Sequence, residues 1–366
     1  MKKKLFAAVC LLILLFFAVL PVNADEESFL FDPGALTGTL DEESRELLPQ
    51  DMTSGGVADA GADMFYALTS SLIKSFAKDA LLLCGIILIA SALSRIGESL
   101  SLKYSSDIFA LSQVLLIALT AYNMIDKVFD SCVGFTEHIN ALMSSYGVIM
   151  GELYLLGGNI SGAASGSAWL ALALEFSRKV CISTLIPLIK ICFSVSVASS
   201  VSQSVNLRAI SKFVRNLYTT CTVLFMTVIT IIMSFQTTLS ASKDSAAIKS
   251  VRFAASNSIP IIGSLVGESL RTLSSGISVM KSVSGLVCML CMAALSVAPL
   301  TLLFSLKYSF SLSASFAGFL NSDQASAILS DCGNIINYLI GTVVITDIYF
   351  IYFISVFIKS ASAVSV

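Results

Sequence analysis

Residues 283–304 read VSGLVCMLCMAALSVAPLTLLF, and this apolar stretch decides the fold class. It contains no charged residue and can cross a bilayer core as a helix, which takes about 20 apolar residues. The chain of 366 residues is 56% hydrophobic and 13% charged, whereas a soluble domain is about 25% charged. The apolar residues stand in long blocks, which fit a lipid-facing surface better than one large core. The sequence therefore predicts an integral membrane protein.

Five further segments are candidates for membrane spans. Four of them are as clearly apolar and lie near residues 76–93, 108–125, 217–239 and 335–358. The other, at 180–200, contains Pro187 and Lys190 but is otherwise apolar. We therefore predict an all-α, polytopic transmembrane helical bundle of about six spans. The membrane domain would occupy residues 76–366 and include amphipathic or re-entrant helices.

Residues 139–176 are harder to assign, because Glu152, the pair Gly157-Gly158 and a run of small residues interrupt their apolar pattern. Three interpretations stay open: a seventh helix, a re-entrant hairpin, and a helix buried among the others. Irregular backbone at membrane depth needs protein or trapped water to satisfy its polar groups. The choice matters because one more crossing would reverse the orientation of everything that follows.

The amino terminus has the order of a secretory signal. Three lysines precede the apolar stretch Leu5 to Leu20, Pro21 breaks that stretch, and small residues surround a cleavage site after Ala24. We predict a signal peptide over residues 1–24, with an uncleaved anchor helix as the alternative. Residues 25–75 are acidic at first and of weak periodicity, and we predict an exposed polar leader with one helix at 41–48.

Basic residues in short loops predict the orientation of the bundle. The loop at 201–216 carries three basic residues and no acid, so we expect it in the cytoplasm. The segment after the second span is expected in an outer loop, and its charged and titratable residues include Asp126, Asp130, Glu137 and His138. Six crossings satisfy these constraints and place the carboxyl terminus outside. Residues 240–282 fit badly, because they are rich in lysine and arginine and yet fall outside.

This ill-fitting segment has a pattern of its own. Small apolar residues recur at helical spacing opposite Lys249 and Arg252, which is typical of an amphipathic interfacial helix. Pro260 then interrupts the chain, and Gly263 and Gly267 have the spacing that allows close packing of membrane helices. The pattern suggests two short helices that line a membrane cavity. A surface hairpin without a functional role is the alternative.

Two ionisable residues lie inside predicted spans, Lys190 and Asp347. Such residues are costly in a membrane and are usually paired or exposed to water. The two could pair with each other, line an aqueous path, or bind a proton or a substrate. Lys190 could equally reach the membrane surface, and Asp347 could cap a break in its helix. We favour a structural or assembly role over ion transport.

No residue pattern indicates catalysis. Cys288 and Cys291 have CxxC spacing but lie in an apolar span without a basic neighbour or a second ligand pair, so packing is the better interpretation. The chain has one histidine, no phosphate-binding glycine loop with its lysine, and no GxSxG turn. A net charge of −2 argues against a nucleic-acid partner. We expect no enzyme activity, no cofactor and no metal site.

Short pieces of sequence around residues 235–285, taken in order, resemble the stage III sporulation protein AE family of endospore-forming bacteria. The residues that carry this resemblance include Gln236, Asp244, Lys249, Arg252, Pro260, Gly263, Glu268 and Lys281, with Pro299 in the following span. None of these pieces is specific alone, but their order and spacing within a polytopic protein are. The signal peptide, polar leader and many-helix layout agree over nearly the whole chain.

The resemblance implies a permease-like subunit of a secretion-related complex in the mother-cell membrane that surrounds the forespore. Its partners would be the lipid bilayer and other subunits of the same complex, with a forespore-membrane protein reached indirectly. Together they would form a channel needed for late forespore development. Two other hypotheses stay open: an autonomous secondary transporter that uses intramembrane charges, and a purely structural membrane scaffold. The resemblance supplies no catalytic residue.

Overall fold

The computed structural model describes residues 34–48, 54–99, 105–156, 160–201, 209–232 and 263–362. Every regular element in these ranges is a helix, which confirms the predicted all-α class. The elements are α1 (Gly34–Thr37), α2 (Glu42–Glu46), α3 (Ser54–Ser99), α4 (Ser105–Leu156), α5 (Ile160–Val180), a π-helical turn (Cys181–Leu185), α6 (Ile186–Val201), α7 (Ala209–Ile232), α8 (Gly263–Phe319) and α9 (Asp323–Ser362).

Six stretches of these helices are long and apolar enough to cross a membrane, in agreement with the predicted number. They are Tyr66–Ile96, Leu111–Leu156, Gly166–Ser199, Ala209–Ile232, Ser284–Phe319 and Asp323–Ser355. Each of the six predicted windows overlaps a different one of these stretches. The fold is therefore a polytopic helical bundle. The predicted signal peptide lies outside the described residues.

The ambiguous segment 139–176 is divided between two long helices. Its first part continues α4 to Leu156, and its second part belongs to α5, which begins at Ile160. Neither a separate seventh helix nor a re-entrant hairpin is present in the described part of this segment. Gly157 and Gly158, which are poor helix formers, stand in the sequence between the two helices.

The part of the predicted leader at residues 34–48 is mostly helical, and some of its side chains are buried against the bundle. The helix expected at 41–48 is present as α2, which packs against α8, while α1 packs against α4 and α8. Leu36 and Leu40 are buried in the common core, and Ser44 Oγ donates a hydrogen bond of 3.3 Å to the carbonyl oxygen of Ala294 in α8. Burial of these few side chains draws an otherwise acidic segment onto the bundle. Helix α3 also begins at Ser54, inside the predicted leader.

The third span is shaped by a proline. Pro187 has no N–H, and its ring excludes the carbonyl group four residues earlier from a regular α-helix. The chain accommodates this with the π-helical turn at Cys181–Leu185, directly before the first turn of α6. Wide turns of this kind are recognised causes of helix irregularity and are frequent at functional sites. The helix continues on both sides, so α5, the turn and α6 form one span.

Helix α8 is longer than the predicted span 283–304. It begins at Gly263, so the short helix predicted after Pro260 is continuous with the span instead of separate from it. Small side chains line one face of α8 at intervals of four residues, at Thr301, Ser305, Ser309, Ser313 and Ala317, and all five are buried. Ser309 Oγ donates to the carbonyl oxygen of Phe76 in α3 at 3.2 Å. Small residues allow this close approach of two membrane helices.

A polar network joins three parts of the chain near the turn between α8 and α9. Gln113 Nε2 in α4 donates hydrogen bonds to Ser91 Oγ of α3 at 3.2 Å and to Ser322 Oγ of the turn at 3.0 Å. Asn321 in the same turn has a left-handed backbone with φ of 57°, which asparagine tolerates better than most residues. The network ties the first helical hairpin to the last.

We expect Gln113→Leu to lower the stability of the purified protein in detergent. The change removes both donated hydrogen bonds and leaves Ser91 and Ser322 only their mutual hydrogen bond of 3.2 Å, at a cost of about 1 kcal/mol for each bond lost. Thermal unfolding followed by circular dichroism measures the loss. The matched control is Gln324→Leu, since Gln324 is exposed at the start of α9. Equal midpoints for the two variants would contradict a stabilising role for the network.

Candidate functional site

Asp347 is the most deeply buried charged side chain in the described bundle. It lies in the interior of α9 with 1% of its surface exposed. Ser296 Oγ of α8 donates a hydrogen bond of 2.9 Å to its Oδ1 atom. Its Oδ2 atom has no hydrogen-bond partner among the described residues, and no lysine or arginine of these ranges forms an ion pair with it. Helix α9 continues through this position, so Asp347 does not cap a break.

The hydroxyl group of Ser296, which donates to Asp347, also lies near a second acceptor. Ser296 Oγ also lies 2.8 Å from the carbonyl oxygen of Met292, one turn earlier on α8. Because a hydroxyl group carries one proton, Ser296 cannot donate fully to both oxygens at once. The carboxyl group of Asp347 is thus poorly satisfied by the described residues. Ionisable side chains at membrane depth are costly and usually functional.

Other buried polar side chains lie close to Asp347 in sequence, and one of them contacts the third span. Cys181, the first residue of the π-helical turn, has its Sγ atom 3.9 Å from Oγ1 of Thr346, the neighbour of Asp347 in sequence. Tyr349 packs between aromatic rings, with ring centroids 4.5 Å from Phe350 and 6.1 Å from Phe225 of α7. Its hydroxyl group has no partner among the described residues. We call Asp347, Ser296, Thr346, Cys181 and Tyr349 the polar centre.

The structure does not bring Lys190 and Asp347 together. Lys190 Nζ of α6 lies 3.7 Å from Asp126 Oδ1 of α4 and 5.0 Å from the centroid of the Phe129 ring. Both side chains of the ion pair are about half exposed on the outside of the bundle, at 47% and 46%. An exposed pair of this kind contributes little stability by itself. The pair and the polar centre are separate features.

Asp126 to His138, which were expected on the outer side after the second span, do not form a loop. These residues belong to the continuous helix α4, because Phe129, Phe135 and Ile139 are buried on its inner face and continue the helical pattern. The outward face of α4 between Tyr122 and Val148 has no large exposed apolar side chain. Its exposed charged or titratable residues are Lys127, Asp130, Glu137 and His138.

The third span also carries charged side chains on its outward face. The exposed charged residues of α5 and α6 are Glu175, Arg178, Lys179 and Lys190. Glu175 pairs with Arg178 at 3.2 Å and with Lys179 at 3.8 Å along the helix. We call the outward faces of α4 over 123–145 and of the third span over 173–190 the charged seam. It interrupts the apolar exterior of two helices that are otherwise suited to lipid.

The family-like segment is only partly described. Gln236, Asp244, Lys249, Arg252 and Pro260 lie outside the described residues, so the amphipathic helix and the cavity stay predictions. The remaining predicted residues, Gly263, Gly267, Glu268 and Lys281, lie in the first part of α8.

Sequence reasoning found Asp347 and Lys190 but missed their partners. An intramembrane charge can be seen in one segment, whereas Ser296 and Asp126 become partners only through the packing of two distant segments. Pro187 was visible in the sequence as a helix breaker. It was the available signal that the helix is irregular just before it, near Cys181.

Comparison with protein families gives one match. The model of the stage III sporulation protein AE family matches residues 43–361, which is most of the chain and includes every described span. Neither the curated proteins nor the solved structures give a match. The family match confirms the resemblance drawn from the short pieces around residues 235–285. The chain therefore belongs to the stage III sporulation protein AE family, as a sporulation membrane protein with six helices able to cross a membrane.

Proposed function

We propose that the protein is a non-enzymatic membrane subunit of a sporulation channel or secretion-like complex that links the mother cell and the forespore. It would lie in the mother-cell membrane around the forespore and be needed for late forespore development. The charged seam is the observation that carries this proposal. It places at least eight ionisable side chains on the outside of two candidate spans.

A lone bundle would leave these charged side chains facing lipid or water instead of protein. Charged side chains at membrane depth are costly and normally face protein or water. A neighbouring subunit that covers the seam removes this cost, as interfaces between membrane helices commonly use polar contacts. The seam therefore supports a subunit of an assembly over a solitary protein. The polar centre supplies a second functional feature, inside the same bundle.

An autonomous secondary transporter is the second candidate function. The observation that favours it is Asp347, a buried carboxyl group with one shared donor, since transporters place ionisable groups near the middle of the membrane. The seam argues against it, because a solitary transporter would have no protein to cover the seam. Coupled solute uptake by the purified protein alone in vesicles would favour the transporter.

Deletion of the gene tests the proposal. We expect the deletion strain to grow normally as vegetative cells, to complete engulfment, and then to stop before forespore maturation. Microscopy of membrane-stained cells and counts of heat-resistant spores measure the two stages. Expression of the wild-type gene from a second site is the control and restores spore yield. A normal spore yield in the deletion strain would overturn the proposed function.

A further inference from the structure

We propose that the charged seam is the contact surface between two copies of this chain, related by a two-fold axis along the membrane normal. The inference rests on the proposed function only in taking the seam to be covered by protein. It adds the identity of the partner, a second copy. Three observations carry it: the sign of the charges on each helix, their matched depth, and the small residues between them.

The two helices of the seam carry opposite charges. On α4, Asp126, Asp130 and Glu137 are four and seven residues apart, which places them on one face of the helix. On the third span, the corresponding face carries Lys179 and Lys190, with Arg178 beside them. Glu175 on the same helix pairs with Arg178 and Lys179, so this face is basic on balance. The seam thus consists of an acidic stripe and a basic stripe side by side.

The stripes lie at the same level along the two helices. Three contacts fix the antiparallel register of α4 and the third span. Asp126 pairs with Lys190 at 3.7 Å, the rings of Tyr122 and Phe193 lie 6.0 Å apart, and Gly147 is in contact with Leu170. This register places Glu137 level with Arg178 and Lys179.

Matched depth makes the seam self-complementary. A two-fold axis along the membrane normal keeps every residue at its depth, and it brings α4 of one copy opposite the third span of the other. Glu137 of each copy then faces Lys179 of its partner, and the contact occurs twice. This is the requirement for an isologous interface, in which the same surface serves both subunits. A face of one sign could not bind itself in this way.

Small side chains between the charges permit close approach. Gly134 has open space where a Cβ atom would lie, and Ala141 and Ser144 are exposed on the same helix. Membrane helices associate through small residues and through hydrogen bonds between polar groups. The seam offers both. Its cis ion pairs join Asp126 with Lys190 and Glu175 with Arg178 and Lys179. Glu137 has no ion-pair partner within 4.0 Å among the described residues.

Photo-crosslinking identifies what covers the seam. A benzophenone amino acid replaces Ala141 in the full chain, and membranes from sporulating cells are irradiated. We expect an adduct of twice the mass of the chain that contains this protein alone. The control carries the same probe at Leu81, which is 75% exposed on α3, a helix outside the seam, and gives no such adduct. A product of monomer mass, cross-linked to residues 233–262, would overturn the proposal, as would an adduct with a different protein or no adduct.

Charge reversal tests the geometry. Glu137→Lys and Lys179→Glu each place like charges opposite one another in a homodimer, so each variant alone should dimerise about tenfold more weakly or worse. Mixed together, one copy of each variant restores both opposite-charge contacts. We expect differently tagged copies to form a heterodimer in nanodiscs, measured by native mass spectrometry.

Recovery in the mixture shows that both variants are folded. Failure of the mixture to dimerise, with each variant still giving its own thermal unfolding transition, would overturn the two-fold interface. This result is distinct from failure of the proposed function, because the deletion experiment measures spore yield and does not depend on which protein covers the seam.

Discussion

Replacement of Asp347 by asparagine is expected to reduce heat-resistant spores to the level of the deletion strain while the protein remains folded in the membrane. Asparagine matches the shape of aspartate and can still accept the hydrogen bond from Ser296. It cannot carry a negative charge or exchange a proton. Loss of sporulation would therefore assign the function of the polar centre to the carboxyl group itself.

A second variant, Asp347→Leu, separates loss of function from loss of stability. Asp347→Leu replaces a poorly satisfied buried carboxyl group with an apolar side chain of the same heavy-atom number and branching. Replacing buried charges with packed apolar residues is often neutral or stabilising. Ser296 keeps an acceptor in the carbonyl oxygen of Met292, so no donor is stranded. We expect an unchanged or higher thermal midpoint for Asp347→Leu in detergent, together with loss of sporulation.

Asp323→Asn is the matched control, because Asp323 belongs to the same helix but is exposed in its first turn. It should leave both spore yield and midpoint unchanged. Two results would count against a functional carboxyl group at 347. One is a normal spore yield in Asp347→Asn. The other is a large loss of stability in both variants, which would show that Asp347 serves packing alone.

The fold was largely predictable because membrane spans are marked by local composition. Each of the six spans is a continuous apolar segment, and the length of a bilayer core sets its minimum size. Helix ends were less predictable. Glu137 and His138 suggested a loop, yet α4 continues through them because their side chains face outward while Phe135 and Ile139 face the core. Charge alone does not end a helix whose inner face stays apolar.

The candidate site was predictable only in part, for the same reason. Asp347 stands out in an apolar segment, but its neighbours belong to α8 and to the π-helical turn, more than 45 residues away in sequence for Ser296. The seam was not predicted, because the residues of α4 and of the third span that form it lie far apart in the sequence. One sequence contains no direct signal for contacts between distant segments.

Replacement of Gly147 by leucine is expected to separate α5 from α4. A Cβ atom at Gly147 would overlap the side chain of Leu170 in α5, so even a small residue forces Leu170 to move. Leucine adds three further carbon atoms at this contact. Overpacking of a well-packed interior costs about 1–3 kcal/mol and occasionally more. Because α5 leads into Cys181 and carries Arg178 and Lys179, we expect the polar centre and the seam to be displaced together.

Gly151, one turn further along α4, supplies the matched control. A Cβ atom there meets no other atom within 4 Å, so Gly151→Leu makes the same chemical change without the overlap. We expect a lower thermal midpoint and loss of the Ala141 photo-crosslink for Gly147→Leu, and near wild-type values for Gly151→Leu. A simple loss of helix flexibility would affect both glycines alike. If the two variants behave identically, the contact between Gly147 and Leu170 is not what holds the third span in register.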